Sequence, residues 1–344
     1  MSSSDENLIT IPLIDVREKG PLGVLDEHKA KAADLIIKSS GAFGWLSRAV
    51  AGLALPVGDK LSLRWLKKSN NPYREEIEKT AEIVGGKGII ALNMCYEWGC
   101  TSGAFQVEPG KAPHLTRILD WPFPALGENT VVAHQKGPAG EFHNVTWPGM
   151  SGVYNAIAHG RFAAALNQAP MRRRRTGIFL DWARNRFHFN TQLGLPPAHL
   201  LRRVFETAKD YAEAKKMLST EPLSIPVIYI LTGTKEGEGC VIERIENSAV
   251  IREMKNGRVT AANHFESSLN GLGHGWMPRA TNSHNRMMCA MGVDMADISN
   301  DFAWFKEPIA NYVSRLAMVA KADTGNFKVI GTAGVKPVTK VFRM

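Results

Sequence analysis

Apolar residues recur along this chain at two different spacings, and the change falls near position 100. Before it the spacing is helical. Residues 25–39 place Ala30, Ala33, Ile36 and Ile37 on one stripe. Residues 73–84 place Ile77, Ala81 and Val84 among Glu and Lys, with Asn71-Pro72 as the start signal. Residues 8–16 read instead as a strand, which Pro12 assigns to a sheet edge because it cannot donate to a ladder. Residues 42–56 are apolar but interrupted by Arg48, and shorter than the roughly 20 residues of a spanning helix. They read as a core helix, with an interfacial helix in peripheral contact with a membrane as the alternative.

Beyond position 100 strands and turns dominate. Residues 130–134 and 141–147 flank the turn Gly137-Pro138-Ala139-Gly140, and 161–167 suit a further strand. Residues 226–232 and 239–244 form a hairpin around Lys235-Glu236-Gly237, followed by strands at 248–252 and 258–262. Helices are expected near 179–186, over 197–219, and again from 287 to 295. No internal repeat or low-complexity linker interrupts the chain. Periodicity alone gives mixed α and β.

Composition narrows this little. The 344 residues suffice for one large domain or two ordinary ones, and 44% apolar with 22% charged is typical of a folded soluble protein. The net charge of +9 permits anionic partners. The densest cluster, Arg172 to Arg175, reads as a solvated loop, with nothing nearby resembling a nucleic-acid-binding module; a silent basic protein that binds membrane or nucleic acid is the alternative. The cysteines Cys95, Cys100, Cys240 and Cys289 make neither a disulfide framework nor a zinc spacing. His264, His274 and His284, ten apart, read as ordinary loop histidines; no metal or cofactor is expected. The polar first residues are unlike a secretory signal, so a reducing, cytoplasmic setting is expected. The oligomeric state is not legible.

The candidate chemistry centres on Tyr96-Glu97-Trp98-Gly99-Cys100-Thr101-Ser102. Arg117 and Asp120 follow on a short apolar segment. A thiol, a guanidinium and a carboxylate within 21 positions could form a nucleophile site, or could be a buried cysteine beside an unrelated surface ion pair.

The segments 92–97, 100–102 and 117–120, in this order and spacing, resemble acid ceramidase and N-acylethanolamine acid amidase. Those are N-terminal-nucleophile amide hydrolases related to the bile-salt hydrolases and penicillin acyltransferases. The resemblance implies an α+β fold, a four-layer αββα sandwich. It implies self-cleavage between Gly99 and Cys100 into a mainly helical fragment 1–99 and a catalytic fragment 100–344. It also implies hydrolysis of a linear amide, plausibly a fatty acyl amide, through a Cys100 thioester, or acyl transfer by the same chemistry.

By the same resemblance Asp120 orients the new amine and Arg117 holds the thiolate or acyl group. Asn167 and Asn263 are candidates for the oxyanion site, either of which could equally be a turn asparagine. Arg286 is a further site arginine, with Arg279 and Asn282 competing for its place. Trp121, Pro122 and Phe123 could line an apolar substrate pocket or pack in the core. Gly103 stands where relatives carry an apolar residue, and Gln168 where they carry an acid.

Overall fold

The computed structural model describes residues 8–41, 45–96, 98–271, 275–277 and 282–344, without the side chains of 39–54 and 270–275. The N-terminal region supplies β1 (Leu13–Asp15), α1 (Leu25–Gly41), α2 (Trp45–Lys68), α3 (Arg74–Val84) and α4 (Ile89–Asn93). Helix α3 ends where the sequence requires it: Gly85 takes φ 68, and its N–H caps the Ala81 carbonyl. Residues 42–44, and the side chains to position 54, lie outside the described residues.

The chain continues with β2 (Gly99–Phe105), β3 (His114–Asp120), β4 (Val131–Gly137), β5 (Gly140–Thr146), β6 (Asn155–Ala158), β7 (Phe162–Gln168) and β8 (Met171–Arg173). Three helices follow: α5 (Ile178–Thr191), α6 (Pro197–Thr207) and α7 (Tyr211–Thr220). The expected single helix over 197–219 is thus two. Asp210 ends the run by capping α7, its side chain accepting from Glu213 N–H at 2.9 Å. Next come β9 (Val227–Thr232), β10 (Gly239–Ile245), β11 (Ser248–Glu253), β12 (Arg258–Ala261), β13 (Gly275–Met277), α8 (Ser283–Met291) and α9 (Met295–Ser299). The chain closes with β14 (Ser314–Lys321), β15 (Asn326–Ala333), β16 (Lys336–Pro337) and β17 (Phe342–Arg343).

Among the described residues two large sheets form. One runs β1-β4-β5-β6-β7-β9-β10-β11, the other β12-β2-β3-β14-β15-β16 with β17 also on β15. Strand β1 is an edge strand, as Pro12 predicts, and it pairs parallel to β4. The sheets stack face to face through β2 and β3 against β7 and β9. Helices α6 and α7 cover the outer face of the first sheet, and α8 packs on β2 and β12 of the second. These are the four layers of an αββα sandwich. The interior is continuous and apolar, from Cys100, Leu115 and Leu119 to Leu166, Ile228, Ile230 and Val241, all buried.

Residues 1–99 are tied to the rest by buried polar contacts. Arg202 Nη1 meets Glu76 at 2.6 Å, and its guanidinium stacks 4.1 Å over the Tyr73 ring. Asn71 Nδ2 donates to His199 Nδ1 at 2.8 Å. The Asn93 carboxamide donates to Gly149 O (2.9 Å) and accepts from Ser151 N–H (2.7 Å).

Candidate active site

The antiparallel hairpin β2–β3 fixes the site. Its register pairs Gly99 with Asp120, Cys100 with Leu119 and Ser102 with Arg117. Side chains alternate across a strand, so Cys100, Ser102 and Arg117 share the face turned to the first sheet. Thr101, Ile118 and Asp120 share the face turned to α8. Neither Arg117 nor Asp120 is a surface residue; both are buried.

On the α8 side, Arg286 connects the parts. Its Nη1 donates to Cys100 O (2.6 Å), Thr101 Oγ1 (2.7 Å) and Asp120 Oδ2 (3.1 Å), and its Nη2 donates to Asn263 Oδ1 (2.7 Å). Asn282, a competitor for this role in the sequence, instead accepts from Arg286 Nε at 3.0 Å. Arg279, the other, lies outside the described residues. The second Asp120 oxygen accepts from Ser314 Oγ–H at 2.6 Å. Asn263 Oδ1 also accepts from Cys100 N–H at 2.8 Å, while its NH2 donates to Gln168 O at 2.9 Å.

On the intersheet side, the Cys100 thiol faces Leu166 O at 3.8 Å. Arg117 donates from Nη1 to Asn167 Oδ1 (2.6 Å) and Ser102 Oγ (3.3 Å), and from Nε to Asn155 Oδ1 (3.4 Å). Its Nη2 has no hydrogen-bond partner, and no carboxylate pairs with it among the described residues. Burial pushes the Cys100 thiol above its ordinary pKa, against which Arg117, by charge and hydrogen bond, pulls it down. The thiol of the unbroken chain is therefore protonated and enclosed.

The geometry changes the reading of both asparagines. The Asn167 NH2 donates to Ala261 O and Ala262 O, each at 3.1 Å, and its oxygen accepts from Ser102 and Arg117. Asn167 is a strut between the sheets with no proton left for an oxyanion. Asn263 turns its carbonyl oxygen, not its NH2, toward Cys100.

Gln168 grips the chain just before the cysteine: Trp98 N–H donates to its Oε1 at 2.8 Å, and its Nε2 contacts Tyr96 O. Gly99 sits at a close approach: a Cβ there would lie 3.2 Å from Asp120 Cβ, so Asp120 would have to give way slightly. Gly103 is similarly placed. A Cβ would meet the Phe105 ring at 2.5 Å, so a side chain here needs that ring to move.

Above the hairpin end lies a cleft of about 890 Å³. Trp98, Gly99 and Asp120 form its floor, and Met171, Ile178, Phe179 and Trp182 line its walls. Of the three residues proposed from the sequence to line a pocket, only Pro122 does so. Trp121 and Phe123 are buried beneath, stacked on each other at 5.2 Å within a cluster that includes Trp98, Trp147 and Tyr154. The wall-forming α5 residues gave a sequence signal, a helix carrying Ile178, Phe179, Leu180 and Trp182, but not its location.

Two further expectations are corrected. Arg172 is not solvated: it lies in β8, paired with Glu246 and 5.3 Å from the Trp276 ring, whereas Arg173, Arg174 and Arg175 are exposed. His264 lies in the loop after β12, as expected, but His284 does not lie in a loop. His284 lies in the first turn of α8, and its ring centre is 5.4 Å from that of His264. His274 lies outside the described residues.

A buried cysteine on the first turn of a strand, an arginine and an aspartate on its hairpin partner and two stacked sheets define a class: the fold is that of the N-terminal-nucleophile hydrolases. The particular likenesses agree. The chain is 28% identical to acid ceramidase of Heterocephalus glaber over 205 residues, 52% of this chain and 49% of that one. It is 29% identical to N-acylethanolamine-hydrolyzing acid amidase of Caenorhabditis elegans over 174 residues, 47% of each chain. The solved structure of a Caenorhabditis elegans ortholog of that amidase superposes with a TM-score of 0.50 at 18% identity, covering 65% of this chain and 93% of that one. The chain spans about half the length of the curated relatives it matches. No family model matches it. No helix among the described residues is long and apolar enough to cross a membrane.

Proposed function

We propose that this chain is a self-activating cysteine amidase that hydrolyses a linear N-acyl amide. The observation that carries the reading is the double constraint on Cys100. Its nitrogen is held by Asn263 Oδ1 and its thiol lies beside a buried guanidinium that lacks a carboxylate partner. A buried cation without an anion is costly unless an anion arrives, and a thiolate or an acylated intermediate supplies one.

Maturation begins with Cys100 Sγ attacking the Gly99 carbonyl carbon. The Gly99–Cys100 C–N bond breaks as the acyl group moves to sulfur, and the thiol proton passes to the freed nitrogen. Water then hydrolyses the thioester, leaving a Gly99 carboxylate on fragment 1–99 and a free α-amine on Cys100 of fragment 100–344. That amine has a reference pKa of about 7.7–8 against about 8.5 for the thiol, so it can accept the thiol proton near neutral pH. The same cycle then runs on an external amide: sulfur attacks the carbonyl, the amine protonates the leaving nitrogen, and water releases the acid.

In this scheme Asp120, fixed by Ser314 and Arg286, orients the amine together with Asn263 Oδ1. Arg117, braced by Asn167 and Ser102, stabilises sulfur. The oxyanion role expected of Asn263 requires its NH2 to exchange the Gln168 carbonyl for substrate oxygen. An acyl chain suits the apolar walls of the cleft, whose rim exposes Ile178, Phe179 and Tyr312. Acid ceramidase and N-acylethanolamine acid amidase, the relatives, support a lipid-like amide. A cytoplasmic setting and peripheral contact through 42–56 belong to the same reading.

The test is incubation of the matured protein with long-chain N-acyl amides and detection of a Cys100 thioester by mass spectrometry. Free acid with a trapped thioester is expected; no thioester with any acyl donor would sink the reading.

A further inference from the structure

A second cluster lies outside the cysteine site. Among the described residues, His264, Glu266 and His284 bring one ligand atom each within 4.8 Å of one another. Glu266 Oε1 sits 2.8 Å from His264 Nε2 and 3.6 Å from His284 Nδ1. Zinc bonds nitrogen and oxygen at about 2.0–2.2 Å, which separates neighbouring ligands in a tetrahedron by about 3.4 Å. The observed spacings bracket that value.

The scaffold under these groups is rigid. Buried Glu243, paired with Arg252 at 2.9 Å, accepts from Glu266 N–H and Ser267 N–H, each at 3.0 Å. His284 stands in the first turn of α8 beside buried Ser283. The far nitrogen of His264, Nδ1, is 2.7 Å from Ser283 Oγ. A metal-bound imidazole needs such an acceptor for its other N–H.

We propose that His264 Nε2, the Glu266 carboxylate and His284 Nδ1 form a three-ligand site for a divalent transition cation of the Zn²⁺ type, with solvent completing the coordination. Two imidazoles and one carboxylate select this class over Ca²⁺ or Mg²⁺, which demand more oxygen ligands. Binding takes His264 Nε2 out of its hydrogen bond with Glu266 and fixes the neutral ring in the tautomer whose one N–H, at Nδ1, donates to Ser283 Oγ. Ser283 already accepts from Asn263 N–H at 2.7 Å, so the ion lies one side chain away from the group that holds Cys100 N–H.

The test is titration of the full chain with Co²⁺, followed by visible absorption, with Zn²⁺ as competitor. The expected result is one saturable equivalent with a four-coordinate nitrogen–oxygen spectrum, displaced by Zn²⁺. His284→Ala and Glu266→Gln should each weaken binding at least about 100-fold, more than loss of a supporting partner costs. The His284 side chain is 71% exposed, so its removal leaves the fold intact. A thiolate-to-cobalt charge-transfer band, undiminished binding in both variants, or no saturable binding would each overturn the site.

Discussion

Arg117 and Asp120 occupy one strand, three positions apart, and face opposite sides of it: Arg117 contacts Asn167 in the neighbouring sheet, Asp120 contacts Arg286 on the covering helix. An odd separation in a strand forces this. The two residues are therefore not an ion pair: Arg117 lies on the strand face that carries the Cys100 thiol, and Asp120 on the opposite face.

Their substitutions should separate accordingly. Asp120→Asn, tested as already-cut protein, should lower the acylation rate and leave the Michaelis constant nearly unchanged, because it misplaces the amine without touching the cleft walls. Arg117→Ala should raise the pH at which Cys100 is alkylated in the cut protein, since the charge that favours thiolate is removed. Identical pH profiles for Arg117→Ala and wild type would count against the assignment.

Self-cleavage is expected between Gly99 and Cys100, giving intact masses for 1–99 and 100–344. Cys100→Ala should remain a single chain. Gly99→Val should cleave more slowly than wild type, because a branched side chain there collides with Asp120. Wild type that stays uncut yet hydrolyses amides at full rate would refute the use of the α-amine.

Gln168→Ala should slow the cut with little loss of stability in the remainder of the fold. It frees the Trp98 N–H and the Tyr96 carbonyl, so the scissile peptide loses its alignment. Time-resolved gel analysis measures the rate, and the conservative Gln168→Glu should retain the Trp98 contact and part of the rate.

Thiol labelling should reverse on maturation. In the wild-type chain before the cut, half-buried Cys95 and Cys289 should react with iodoacetamide before buried Cys100 and Cys240. After the cut, Cys100 should react first, as a thiolate near positive charge. Peptide mapping of both forms checks the order; slow Cys100 labelling in the cut form would exclude an activated thiol.

Acid should destabilise the fold through His199. It is buried, neutral and accepting from Asn71, and burial pushes its pKa down to about 3 from an ordinary 6.5. The unfolded chain takes up that proton first, so stability is complete above about pH 6.5 and is lost progressively as pH falls toward 3. The contribution is on the order of a few kcal/mol. Thermal melts from pH 7 to pH 4 should fall less steeply in His199→Gln than in wild type.

What the sequence disclosed follows from how local each signal is. Cys100, Arg117 and Asp120 sit on one hairpin, so a short ordered motif exposes them. Ser314 and Asn155 reach the same centre from other strands and carry no local signature. Strands β14 and β15 went unread, although Leu316-Ala317-Met318-Val319-Ala320 before the Asp323-Thr324-Gly325 turn is a hairpin signal. Trp121 and Phe123 were legible as apolar, with pocket and core both open, because the sequence does not say which side of a strand end closes over the core. His264 and His284 meet only because α8 folds back onto the loop that follows β12.

Trp98 and Gly99 form part of the cleft floor, so the first guest of this cavity is the polypeptide itself. The proposed cut would replace a tethered wall at that point with a free end. A ligand screen run on the intact polypeptide would sample one shape, and the same screen after severance another. Compounds selected against the first would favour the form that has yet to work.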